Sequence, residues 1–283
     1  MQTLIAAPDL LAAMAGATPP LLLDCGFELS DTPAGERAWR AGHLPGALYV
    51  HLERDLAGNP HDAAGRFRGR HPLPEREALA QRLGLLGITP ATPVVCYDAQ
   101  GGMYAARAWW LLRWMGHADV AVLDGGVAAW RAAGGAWTGD SAAPRPAPPY
   151  PAAAPALPTI DAAALQARLG RVRLIDARGA ERFRGEVEPL DRAAGHIPGA
   201  RNRPFKDNLA ADGRFKSADV LRAEWTPLLA GDEASQVVQQ CGSGVTACHN
   251  LLALAHAGLG DSVLYPGSWS EWSADPARPL AKG

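Results

Sequence analysis

Cysteine is scarce in this chain, with four in 283 residues. That excludes a disulfide-stapled scaffold, and a chain of this length buries enough core to need neither staples nor a structural metal. Charge of one sign is also lacking: 27 Lys and Arg stand against 29 Asp and Glu, a formal net charge of −2. No basic excess supports nucleic-acid binding or a polybasic membrane anchor. No apolar run approaches the ~20 residues that span a bilayer. A secretory start is missing too, since the first basic residue is Arg37 and the short apolar stretch 10–17 runs into Pro19-Pro20. These absences point to a cytoplasmic protein that touches neither nucleic acid nor membrane, in a compartment reducing enough to keep a thiol free.

What is present is a repetition. Leu21-Leu22-Leu23-Asp24 returns as Arg173-Leu174-Ile175-Asp176. Ala41-Gly42-His43-Leu44-Pro45-Gly46-Ala47 returns as Ala194-Gly195-His196-Ile197-Pro198-Gly199-Ala200. Leu123-Asp124-Gly125-Gly126 through Trp130 returns as Tyr265-Pro266-Gly267-Ser268 through Trp272. Three matches in the same order are the mark of a duplicated unit. Between the copies, residues 139–158 hold seven prolines. Proline fixes φ and lacks a donor, so this stretch predicts an extended, semi-rigid connector. The resulting division is 1–138, a linker over 139–158, and 159–283.

Within each copy, short apolar runs alternate with helical lengths. Val94–Tyr97, Val120–Leu123, Val237-Val238 and 262–265 read as strands, and 105–115 and 246–257 as helices. Strand–helix–strand spacing implies parallel βαβ units and an α/β layer fold. Sites in such sheets lie at the carboxyl ends of the strands, which directs attention to the residues just after Tyr97 and just after Gln240.

After Gln240 comes Cys241-Gly242-Ser243-Gly244-Val245-Thr246-Ala247, then a helix. Two glycines let the backbone curl so that successive N–H groups point inward, and the helix start adds positive potential. A thiol there is expected to have a lowered pKa and to act as a nucleophile. The matching place in the first copy reads Tyr97-Asp98-Ala99-Gln100-Gly101-Gly102-Met103, without a cysteine, so the first copy is expected to lack the nucleophile. Cys25, Cys96 and Cys248 read as packing residues. The Cys241, Cys248 and His249 spacing matches no common zinc pattern, and no metal is expected. A cysteine-phosphatase loop requires an arginine six residues after the cysteine, and Ala247 stands there.

With these residues in place, the chain resembles the two-domain rhodanese, or sulfurtransferase, family over essentially its full length. The loop from Cys241 to Ala247 is similar to the 3-mercaptopyruvate form of the family's active loop. The His-Pro-Gly-Ala segments at 43–47 and 196–200 and Gly267-Ser268-Trp269 are further family marks. The resemblance implies two tandem rhodanese-like domains, each a central parallel sheet flanked by helices, the first non-catalytic and the second catalytic. It implies transfer of a sulfane sulfur from 3-mercaptopyruvate to cyanide or a thiol, reduced thioredoxin among them, through a Cys241 persulfide and without a cofactor. The alternatives are a thiosulfate donor or a sulfur carrier that does not turn over.

The resemblance also implies site residues. Gly242, Gly244, Val245 and Thr246 line the donor through the loop backbone. Arg182 matches the arginine that holds the donor's carboxylate. The second arginine of the family has no counterpart at Leu190-Asp191, and Arg192 is its nearest substitute, with Arg201 and Arg203 beyond. Ser243, His71 and Glu53 form the expected proton relay beside Cys241, with Glu53 where relatives carry Asp. His43, His196, Asp24 and Asp176 recur in both copies and are expected to be structural.

Overall fold

The computed structural model describes residues 3–151 and 153–283, leaving Ala152 of the proline-rich stretch outside the described residues. Two compact units form. The first holds Met1–Ala57, Pro74–Ala156 and Ala211–Arg214, and the second Gly58–Leu73, Leu157–Ala210 and Phe215–Gly283. Each is an α/β layer structure with an all-parallel sheet, as the alternating pattern predicts.

In the first unit the elements are β1 (Leu4–Ile5), α1 (Ala7–Met14), β2 (Leu21–Asp24), α2 (Ala34–Ala41), β3 (Leu48–Tyr49), α3 (Leu52–Asp55), α4 (Arg76–Leu85), β4 (Val94–Tyr97), α5 (Ala105–Trp114), β5 (Val120–Leu123) and α6 (Gly126–Ala132). The strand order is β1-β5-β4-β2-β3. β4 and β5 are buried along their whole length, which is why they read as unbroken apolar runs rather than alternating ones.

In the second unit they are α7 (Ala162–Ala167), β6 (Arg173–Asp176), α8 (Ala180–Arg184), β7 (Ala200–Asn202), α9 (Ala218–Leu229), β8 (Val237–Gln240), α10 (Thr246–His256), β9 (Val263–Leu264) and α11 (Ser268–Ala274). The order β7-β6-β8-β9 repeats the first sheet without its outer strand. A single parallel bridge from Thr159 to Leu264 stands where that strand would pair. One face of this sheet buries Leu165, Leu174, Val238, Tyr265, Trp269 and Trp272 together. Burying large apolar side chains contributes roughly 1.5–3 kcal/mol each.

The proline-rich stretch is strapped to the first unit. Non-proline residues supply the donors: Ala147 N–H to Gly84 O at 2.8 Å, Tyr150 N–H to Ala80 O at 2.9 Å and Ala156 N–H to Trp114 O at 3.1 Å. The strap lies so close to the end of α4 that a Cβ on Gly87 would meet Arg145 O at 2.5 Å, and Gly87 also has φ +80°. Only glycine fits there.

The segment 58–73 belongs to the second unit although it comes from the first half of the sequence. Arg70 N–H donates to Ser270 Oγ at 3.1 Å. Gly69, at φ +98°, packs so tightly that a Cβ would lie 2.7 Å from Gly267 O. No helix among the described residues is long and apolar enough to cross a membrane.

Candidate active site

Cys241 follows β8 directly and is 1% exposed. Its loop is tied to the start of α11. Trp269 N–H donates to Cys241 O at 3.0 Å, and Ser270 N–H to Gly242 O at 2.9 Å. The Cys241 N–H donates to Ser268 Oγ at 3.1 Å, and that hydroxyl donates to Tyr265 O at 2.9 Å. Ser268 does this from φ +53°, a left-handed conformation that a non-glycine residue adopts at a cost of about 1–2 kcal/mol. Gly244 has φ +76°, and a Cβ there would meet Pro266 O at 2.4 Å. Val245 precedes α10, whose first residue is Thr246. The four residues Gly242, Gly244, Val245 and Thr246 thus form the turn from strand to helix around the sulfur.

His71 reaches this loop from the 58–73 segment. Its Nδ1 is hydrogen-bonded to Ser243 Oγ at 2.8 Å, and both side chains are buried. Glu53 lies on α3 of the first unit, where its N–H donates to His51 Nδ1 at 3.1 Å.

Two guanidinium groups stand over the residue after the cysteine. A Cβ on Gly242 would lie 3.1 Å from Arg70 Nη2 and 3.4 Å from Arg182 Nη1. Below them two acids are nearly sealed from solvent, Asp191 and Glu188, each with a side chain 3% exposed. Glu188 takes Arg182 through Nη2 at 2.7 Å and Nε at 3.3 Å. Asp191 accepts at Oδ2 from Arg182 Nη2 at 3.0 Å and at Oδ1 from Arg70 Nη1. Burial pushes the Asp191 carboxyl up, Arg70 and Arg182 pull it down, and Glu188 raises it further. Behind this layer Arg178 pairs with the buried Asp176 at 2.6 Å and lies over the Trp269 ring.

Sequence reading named Arg182 and missed Arg70, Asp191 and Glu188. One signal was at hand for Arg70, because it adjoins His71. Arg192 is exposed and donates to Ala274 O at 3.2 Å. Arg203 is taken by Glu224 at 2.6 Å, and Arg201 is exposed on β7. Neither Arg192 nor Arg203 is among the side chains that approach Gly242 most closely.

The remaining candidates are embedded in the fold. Cys25, Cys96 and Cys248 are fully buried, and burial pushes the Cys25 thiol up. Cys248 Sγ donates to Gly244 O at 3.3 Å. His43 Nδ1 bonds to Trp39 O at 2.7 Å and His196 Nδ1 to Phe183 O at 2.8 Å, each ring stacked on the aromatic that supplies the carbonyl. Among the described residues no group of three His, Cys, Asp or Glu side chains is placed to hold a metal.

The first unit shows the same strand-to-helix turn with a different residue at its start. Asp98 follows β4 as Cys241 follows β8. Its Oδ1 accepts the N–H groups of Gln100 and Gly102, both at 2.8 Å, and its Oδ2 those of Tyr104 and Ala105, both at 2.9 Å. The turn is therefore built to surround a negative charge.

A family model for the rhodanese-like domain matches residues 7–133 and again 161–275. The chain belongs to the rhodanese-like family. This rhodanese-like chain is 49% identical over 276 residues to the "Probable 3-mercaptopyruvate sulfurtransferase" of Pseudomonas aeruginosa, covering 96% of each. It is 34% identical over 275 residues to the thiosulfate sulfurtransferase of Cricetulus griseus, covering 93% of this chain and 88% of that one. Among solved structures, the 3-mercaptopyruvate sulfurtransferase from Leishmania major is similar with a TM-score of 0.84 and 30% identity, over 96% of this chain and 74% of that one. Relatives named for either donor are sulfurtransferases, and sulfur transfer is the activity of this rhodanese-like chain.

Proposed function

We propose that the chain moves a sulfane sulfur from 3-mercaptopyruvate to a thiol or cyanide, with Cys241 as the carrier. The Cys241 thiolate attacks the donor sulfur, the carbon–sulfur bond breaks, and its electron pair leaves on the donor carbon as pyruvate enolate. Ser243, hydrogen-bonded to His71, delivers the proton that turns this enolate into pyruvate. Cys241 is left as a persulfide, held by inward-pointing N–H groups of the kind that Asp98 occupies in the first unit. An acceptor thiolate then attacks the outer sulfur and releases Cys241. Reduced thioredoxin can act as that acceptor, as can a small thiol or cyanide. Arg182 and Arg70 hold the donor's carboxylate. A thiol that must stay reduced between turnovers belongs in a reducing compartment, and we place the reaction in the cytoplasm.

The observation that carries the choice of donor is the 2.8 Å bond between His71 and Ser243. A carbon leaving group needs a proton, whereas sulfite leaving from thiosulfate needs none. Thiosulfate is the second reading, supported by the two arginines, which also suit a dianion. The deciding measurement is kcat/KM for both donors with cyanide as acceptor, alongside mass spectrometry of Cys241. A gain of one sulfur on Cys241 and a preference for 3-mercaptopyruvate support the proposal. A preference for thiosulfate overturns the donor assignment. A persulfide that no small thiol or cyanide removes points instead to a carrier that serves a dedicated protein acceptor.

A further inference from the structure

Asp24 and Asp176 hold the same place in the two units but have different partners. In the second unit Arg178 stands two residues past Asp176 and turns back onto it. Its Nε lies 3.1 Å from Oδ1 and 3.0 Å from Oδ2 of Asp176, and its Nη2 donates to Oδ2 at 2.6 Å and to Gly195 O at 2.8 Å. The guanidinium lies over the Trp269 ring, and both members of the pair are buried. In the first unit the residue two past Asp24 is Gly26, and Val127 stands where Trp269 does. The acid is kept there and the arginine is gone.

A cleft of about 330 Å³ is found at that place. Ligand pockets occupy roughly 300–1,000 Å³. Asp24, Gly26 and Gly42 line the cleft, the counterparts of Asp176, Arg178 and Gly195, and Phe27, Trp39 and Trp137 give it an aromatic wall. A Cβ on Gly26 would meet Asp24 Oδ1 at 3.1 Å and, beyond its chain neighbours, nothing else within 4 Å. The space over the carboxylate is therefore open. Asp24 is only 7% exposed, and its Oδ1 accepts the Gly26 N–H at 2.9 Å. Burial pushes its carboxyl up, Gly26 and the Tyr97 hydroxyl pull it down, Asp98 raises it and His43 lowers it. No arginine or lysine among the described residues pairs with it. Buried carboxylates are ordinarily paired with a cation.

We propose that this cleft binds an alkylguanidinium ligand, whose guanidinium takes in the first unit the place that Arg178 takes in the second. The ligand's planar fork pairs with Asp24, its outer N–H groups face Gly42, and its flat face lies against the aromatic wall. An ammonium offers the charge without the fork or the flat face. Glu28, exposed at the rim, suits a second positive charge at the far end of the alkyl chain and disfavours a carboxylate there. The site goes beyond sulfur transfer, since no residue lining the cleft has a part in that reaction.

Calorimetric titration of the whole chain tests this, with agmatine as the probe and 1,4-diaminobutane as the control. Both carry two positive charges on a four-carbon chain, and only agmatine has a guanidinium. One agmatine per chain is expected to bind, tighter than the diamine by about tenfold or more, the worth of a charge-assisted bidentate contact. Asp24→Asn is expected to weaken agmatine by about tenfold or more for the same reason. Gly26→Arg supplies the missing guanidinium from the chain itself. It is expected to abolish agmatine binding and to raise the midpoint of thermal unfolding. Sulfur transfer by both variants is expected to stay within about twofold of the parent, which shows that they are folded. The proposal is overturned if agmatine shows no saturable binding at millimolar concentration, if the diamine binds equally well, or if either variant binds agmatine as the parent does. It is also overturned if Gly26→Arg lowers the unfolding midpoint, because the cleft then rejects the group it is proposed to hold.

Discussion

The turn after β4 and the turn after β8 are the same device with opposite contents. In the first unit Asp98 places its own carboxylate among four N–H donors. That turn is satisfied internally. In the second unit Cys241 stands at the equivalent strand end, with a smaller loop before the helix. The other side of each turn differs in the same sense. Gly126 takes φ +53° with Val127 N–H bonded to Asp98 O, and Ser268 takes φ +53° with Trp269 N–H bonded to Cys241 O. Glycine adopts that backbone without penalty, whereas Ser268 carries the strain and uses its hydroxyl to hold the Cys241 N–H. One unit has closed the anion site with a side chain; the other keeps a sulfur there at some cost to stability.

The sharpest way to break this comparison is Cys241→Ser. Sulfur transfer is expected to fall by about a thousandfold or more, since the hydroxyl is a far weaker nucleophile and cannot form a persulfide. Retained turnover with either donor defeats the assignment of roles to the two turns. Next in size is Asp98→Ala, which leaves four N–H groups unpaired and is expected to cost about 3–5 kcal/mol in denaturant unfolding. The activity of the folded fraction should persist, since Asp98 belongs to the closed turn. A parallel loss of activity per folded molecule contradicts that.

Smaller effects sharpen it. Ser243→Ala is expected to lower kcat for 3-mercaptopyruvate by roughly tenfold to a hundredfold, the usual share of a positioned proton donor. Thiosulfate turnover should change far less, because its leaving group takes no proton. Equal losses with both donors remove the proton role from Ser243. The smallest expected effect is at Ser268. Ser268→Ala keeps the strained backbone and loses the hydroxyl, a cost of about 1–2 kcal/mol, whereas Ser268→Gly relieves the strain and is expected to stay within about 1 kcal/mol of the parent. Thermal unfolding of the pair checks the order, and an alanine variant as stable as the glycine one refutes it.

Much of the fold was readable because parallel strands buried on both faces appear as short unbroken runs. Val94–Tyr97, Val120–Leu123 and the strand that begins at Val237-Val238 lie where the sequence pattern puts them, as do the helices from Ala105 and Thr246. The proline-rich stretch was readable as extended but not as a strap, because its hydrogen bonds go to Ala80, Gly84 and Trp114, far back along the chain. Of the site, Cys241, Ser243 and Arg182 sit in local motifs, and the link from His71 to Ser243 followed only from the family resemblance. Arg70 and Asp191 escaped notice because their pairing joins residues 121 apart, and no local pattern marks a side chain whose partner arrives from another segment.

By itself, the sequence determined the duplicated α/β plan and the strand-end cysteine, because periodicity, glycine placement and repetition are local properties of the chain. The tertiary structure alone decided that 58–73 joins the second unit, that Arg70 rather than Arg192 stands over Gly242, and which edge of each guanidinium is already taken. Those depend on packing and on the pairing of buried charges, where every partner must be present before any one of them has a defined role.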